Sequence, residues 1–252
     1  YLTSNTSGIT IEGFRITNFS ATSSIELVGN QKQLGTIIWA GSPNGRILHN
    51  TFFNNDPNGF GVRPGSTFAS ADINVIQATG MEIRGNSITT ENLPYGIMLR
   101  DSGVTANGIA NNYFERKKDW GNGSSVFTKS TNGVRILNNY FTNTDSVKSS
   151  GSWAFILREE SNAVVQGNVA VGSGIGMMIQ DGVIYVAGVP SSNHLEGHLI
   201  SNNIFVGNGS GAGQGIDTSS SNSDNSQSCD GCNIANNIIM NFSRGTRISV
   251  GS

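Results

Sequence analysis

Apolar and polar positions along this chain recur in short blocks rather than in long periodic stretches. In GVRILNNYFTNTD, residues 133–145, an apolar run meets two asparagines and then resumes with aromatics. Taking Asn139 as an anchor, equivalent positions are Phe14, Asn50, Asn86, Asn112, Asn168, Asn203 and Asn237, spaced by 36, 36, 26, 27, 29, 35 and 34 residues. Three places before the anchor stand Ile11, Ile47, Ile83, Ile109, Ile136, Val165, Ile200 and Ile234; two places after it stand Ile16, Phe52, Ile88, Phe114, Phe141, Ala170, Phe205 and Ile239. Those two positions are five residues apart, so in one straight strand they would face opposite sides of a sheet. Both point inward only if the chain bends between them, and the pattern predicts a turn at the anchor, where Asn tolerates the left-handed backbone as Gly does.

A repeat of variable length with constant corner chemistry predicts a coiled β-solenoid, in which additional residues loop out at other corners. Stacking at the inter-strand spacing brings each anchor amide over the next. A hydrogen-bonded ladder then supplies partners for groups that are costly to bury alone. Eight coils make a rod roughly 40 Å long. The pattern resembles the pectin lyase-like superfamily, which implies an all-β, right-handed parallel β-helix of about eight coils with an asparagine ladder. The whole chain, 1–252, reads as one β-helix domain, and the absence of a capping segment suggests a fragment of something longer.

Composition agrees with this picture and narrows the partners. Charged residues are 13% and there are 33 glycines, a profile of many short strands rather than helices. The formal net charge of −2 offers no global field for nucleic acid or an anionic membrane. No apolar run is long enough to span a bilayer. Five glycosylation sequons, at Asn5, Asn18, Asn122, Asn208 and Asn241, fit an extracellular protein, whether secreted, on a cell surface or on a virion. Cys229 and Cys232 in CDGC read as a short-range disulfide, two free thiols or half of a zinc site completed by His194 and His198.

Candidate chemistry lies in the strands that precede the corner. GIMLR ends at Arg100, VFTK at Lys129 and FILR at Arg158, at successive intervals of 29 residues. If Val126, Thr128, Phe155 and Leu157 point inward, alternation turns Phe127, Lys129, Ile156 and Arg158 outward. A column of three cations on one solvent face follows. Stacked like charges repel, so the column is either paired with the neighbouring Asp101, Glu159 and Glu160 or built to bind a polyanion such as an acidic polysaccharide. For a uronate, β-elimination needs a base for the proton alpha to the carboxylate, a cation for the enolate-like charge and an acid for the leaving oxygen. Two flanking guanidinium groups disfavour the charged form of Lys129, which makes it the base candidate, with Arg158 neutralising charge or donating a proton and Arg100 binding substrate.

The text FTKSTNGVRILNNYF followed by FILREESNAVVQGNVAVG is similar to the alginate lyase and chondroitinase B-like polysaccharide lyases. That resemblance implies the catalytic Lys and Arg roles for Lys129 and Arg158. Glu159-Glu160 replaces the His-Gly that usually follows the Arg, and GNGSSVFTK offers no calcium ligand, so no cofactor is implied. Trp120 and Trp153 read as loop residues flanking the column, where they would stack on sugar rings. Trp39 aligns on a preceding coil, and ERKKDW, residues 115–120, reads as a solvated loop tip that widens a basic groove. Glu159 is a further substrate contact and, with Asp181, a carboxylate pair for the hydrolase alternative. NTD at residues 143–145 echoes part of a polygalacturonase site without its companions. The competing class is a non-enzymatic rod, a phage tailspike or surface adhesin that binds glycans, for which a homotrimer is one arrangement.

Overall fold

The computed structural model describes residues 7–19, 25–28, 31–55, 69–91, 93–102, 108–117, 123–144, 153–158, 161–181, 184–186, 189–191, 197–209, 213–220, 229 and 231–248. Each coil contributes one strand to each of three sheets, of eight, nine and eight strands. Every neighbour within the stack is parallel, apart from the hairpin partner Ile25–Val28, which runs antiparallel to Gln31–Ala40. The chain is a right-handed parallel β-helix of eight coils.

The inward positions predicted from the repeat form the core. Ile47, Ile83, Ile109, Ile136, Val165 and Ile200 stack in one sheet, and Phe52, Ile88, Phe114, Phe141, Ala170 and Phe205 in another, all essentially buried. Phe114 and Phe141 lie parallel with centroids 4.7 Å apart, and Phe155 from the third wall meets Phe141 edge-on at 4.2 Å. Aromatic offset stacking and edge contact thus join coils and walls.

The ladder is continuous. The Asn139 backbone N–H donates to Asn168 Oδ1 at 2.9 Å, and its Nδ2 donates to Asn168 Oδ1 at 3.0 Å and to the Ile109 carbonyl at 2.9 Å. Its own Oδ1 accepts from the N–H and Nδ2 of Asn112. The same set recurs from Asn50 to Asn203; Asn237 keeps the bond from Nδ2 to the Ile200 carbonyl, and the Phe14 N–H closes the first rung on Asn50. Which residue makes the bend differs from the expectation. The left-handed backbone belongs to the residue before each anchor: Gly13, His49, Gly85, Asn111, Asn138, Gly167, Asn202 and Asn236. The two asparagines of ILNNYF divide the labour: Asn138, with φ of 53°, turns the chain, and Asn139 holds the ladder. Gly167, with φ of 68°, fills the turning position on the next coil, where a Cβ would run into Asn138 Oδ1.

Candidate functional site

The cation column lies on the nine-stranded sheet. Strands Tyr95–Ser102, Ser124–Thr131 and Trp153–Arg158 pair so that Arg100 stands opposite Lys129 and Lys129 opposite Arg158. Arg100 stands twelve residues before its anchor Asn112, whereas Lys129 and Arg158 stand ten before theirs, and the two additional residues are absorbed without shifting the register. Ile97, Leu99, Val126, Phe155 and Leu157 enter the main core, with Thr128 fully buried beside them. The cations point the other way, as alternation requires.

That outer face is not the open solvent face expected from the sequence. Met98, Phe127, Ile156 and Met178 form a second apolar cluster on it, with Ala71 and Trp153, all at most 9% exposed. Arg100 is 5% exposed, and Lys129 and Arg158 are half-buried. The physical reason is legible in the strands: FILR and GIMLR are apolar on both faces, the signature of a parallel sheet covered on both sides. Among the described residues Lys129 makes no hydrogen bond or ion pair. The residue after it, Ser130, has a left-handed φ of 54°, and Gln77 at 50° and Gly41 at 69° are left-handed too at the equivalent place on earlier coils.

Several candidates stand elsewhere than expected. Trp153 is the first residue of a strand, not of a loop, and its ring is buried in the outer cluster, so it offers no open face to a sugar. Trp39 lies inside the solenoid, fully buried, donating from Nε1 to the Ser42 carbonyl at 2.8 Å. Arg116 is not on a loop tip; it ends the strand Tyr113–Arg116, is 2% exposed, and donates from Nη1 to the Pro94 carbonyl at 2.8 Å. Trp120 and Glu159 lie outside the described residues, as do Glu160 and His194.

One contributor escaped the sequence reading. Tyr95, at the start of the Arg100 strand, lies on the outer face with its ring 4.8 Å from that of Phe127. Burial pushes its phenol above the ordinary tyrosine value, while Arg116, Arg158 and Arg100 pull it down. The phenol therefore sits in the field of three guanidinium groups. Its signal was PYG at residues 94–96, an aromatic standing directly before a glycine whose Cβ would press on Phe114 and Ile88.

Cys229 and Cys232 are joined in a disulfide, which removes them as thiolate ligands. Among the described residues no three His, Cys, Asp or Glu side chains gather where they could hold a metal. His198 is buried, with Nδ1 accepting the Ala163 N–H at 3.1 Å, so its proton sits on Nε2.

A family model described as NosD, periplasmic copper-binding protein, matches residues 65–155, a little over a third of the chain. No curated protein sequence matches. Among solved structures, a tailspike protein mutant of E. coli bacteriophage HK620 in complex with pentasaccharide superimposes with a TM-score of 0.61 at 12% identity, over 93% of this chain and 44% of its own. A double mutant of the tailspike of the same phage gives 0.55 at 13% identity, over 79% and 32%. The chain spans less than half the length of these tailspikes. What is shared across such low identity is the architecture, a right-handed parallel β-helix.

Proposed function

We propose that this β-helix binds an acidic polysaccharide outside the cytoplasm and cleaves it by β-elimination at the column Arg100, Lys129 and Arg158. One observation carries the reading: among the described residues the Lys129 ammonium has no partner and is stacked in register between two guanidinium groups, a costly arrangement for a wall of purely structural purpose. A polyanion removes that cost. Arg158 and Arg100 would neutralise a uronate carboxylate. The Lys129 side-chain nitrogen would take the proton alpha to it; the electron pair moves into the carboxylate and returns to form the C4–C5 double bond as the C4–O bond breaks. The departing oxygen takes up a proton, and the Tyr95 phenol faces the same surface. The pentasaccharide held by the related tailspike and the disulfide fit a glycan-directed protein of an oxidising compartment. Copper, which the NosD description names, and calcium find no fitting ligand set among the described residues, and no step is routed through either.

The second reading is a glycan-binding rod without chemistry, favoured by the burial of Arg100 and of the neighbouring apolar face. Incubation with alginate, pectate, chondroitin and hyaluronan, followed by absorbance of the unsaturated uronate, separates the two. Elimination predicts a rise on one polymer that Lys129→Ala abolishes while the melting temperature holds. Binding to a polymer without any rise assigns the rod. Neither binding nor a rise on any polymer removes the column as a glycan site.

A further inference from the structure

The corner that follows the nine-stranded sheet builds a column of its own. Its turning residues are left-handed at Gly8, Asn44, Gly80, Gly133, Asn162, Gly197 and Gly231. The residue after each stands one place before a strand of the next sheet: Ile9, Gly45, Met81, Val134, Ala163, His198 and Cys232. Met81, Val134 and Ala163 are buried and apolar, as an inward corner requires. With His198, itself 1% exposed, the column changes character. Its Nδ1 accepts the Ala163 N–H of the coil before, as each ladder Oδ1 does at the other corner, and imidazole geometry turns Nε2–H away from Ala163. Among the described residues Nε2 has no partner, and a buried donor left unpaired is costly. The pairing of Leu199 with Asn233 puts Cys232 at the equivalent place on the next coil, the side to which Nε2–H is turned. Burial lowers the imidazole to about 4, so at neutral pH it is an uncharged donor.

We propose that Cys229–Cys232 is a thiol–disulfide exchange site whose partner is a thiol or dithiol reductant, with His198 holding the departing Cys232 sulfur. The turn does not depend on the bond between the sulfurs: the Cys232 N–H donates to the Cys229 carbonyl at 3.3 Å, and the Asn233 N–H to the His198 carbonyl at 2.7 Å. A loop closed at a sequence separation of 3 restrains the unfolded chain little. By reciprocity the fold does little to protect that bond from reduction. Opening it also gives Nε2–H an acceptor that the oxidised pair does not supply. A reductant thiolate attacks Cys229 Sγ; the new S–S bond forms as the Cys229–Cys232 bond breaks, and Cys232 leaves as a thiolate facing Nε2–H. A second thiolate of the reductant attacks the mixed disulfide and releases Cys229, which takes a proton from water. Two electrons have then passed to the pair, and the reductant is left as its own disulfide. No step uses Lys129, Arg158 or a glycan, so this inference stands or falls independently of the glycan reading.

Treating the whole chain, without denaturant, with millimolar reduced glutathione, then iodoacetamide and mass spectrometry, tests it. The expected result is reduction of the pair in the folded chain, at a rate at least tenfold lower in His198→Asn, whose Oδ1 keeps the bond from Ala163 while its amide nitrogen falls short of the Nε2 position. In Cys229→Ser the remaining Cys232 should show the ultraviolet absorbance of a thiolate at neutral pH, a reading that holds even where His198→Asn folds poorly. A disulfide that glutathione leaves intact until the chain unfolds, an equal rate in a folded His198→Asn, or a Cys232 that is a protonated thiol at neutral pH overturns the proposal.

Discussion

Two buried titratable groups, Asp72 and His198, act on stability in opposite directions, and removing one should expose the other. Asp72 lies in the strand Ala69–Ile76 at 1% exposure. Burial raises its carboxyl from 3.8 to about 7, although the hydrogen bond that Oδ1 accepts from Asn55, at 2.7 Å, pulls the other way; among the described residues Oδ2 has no partner. A raised carboxyl favours the protonated fold, so its contribution is fully present below about pH 4 and is lost as pH rises to about 7. At about 1.36 kcal/mol per pH unit this is a loss of at most roughly 4 kcal/mol. His198 is lowered by burial from 6.5 to about 4. Its neutral form is favoured in the fold, so its contribution is present above about pH 6.5 and is lost as pH falls towards 4, at most roughly 3 kcal/mol. Between about pH 4 and 6.5 the two slopes have equal size and opposite sign, and they cancel. Asp72→Asn keeps an acceptor for Asn55 and removes the charge. The difference in guanidinium denaturation free energy between Asp72→Asn and the unaltered chain should therefore grow with pH by about 1.36 kcal/mol per unit across that window, since all other groups titrate equally in both. His198→Gln should give the mirror slope. Parallel stability curves for Asp72→Asn and the unaltered chain would refute the argument.

Asn139→Ala strands the Asn112 N–H and the Ile109 carbonyl inside the wall, and should cost about 3 to 5 kcal/mol by denaturant titration. At the neighbouring Asn138 the backbone, not the amide ladder, is at stake: Asn138→Gly should be nearly neutral, while Asn138→Val should cost about 1–2 kcal/mol from its left-handed φ. Reducing the Cys229–Cys232 disulfide opens a loop with a sequence separation of 3. A loss of about 2 kcal/mol is expected from so short a loop, read as a lower melting temperature in reductant.

The corner chemistry was legible because a ladder demands the same side chain at the same place on every coil, and seven asparagines supply it. What the letters could not separate was which asparagine of a pair turns the chain: Asn138 and Asn139 are chemically identical, and it is the coils with Gly13, Gly85 or Gly167 before the anchor that reveal that the bend precedes it. The register of Arg100, Lys129 and Arg158 followed from spacing alone, yet their exposure did not. A strand such as AFILR is apolar at both parities, and alternation assigns facing without saying whether the outer face meets water. That rule places Ile156 outward, and the fold buries it at 3% exposure. The same double apolarity in VAV and IFV of the third wall ends differently, with Val169, Val171, Ile204 and Val206 half-buried. The outer column of the nine-stranded sheet is buried by the chain itself, with the Tyr95 ring 4.8 Å from that of Phe127. Parity therefore decides which way a side chain faces, and what the rest of the coil lays over that face decides whether it meets water.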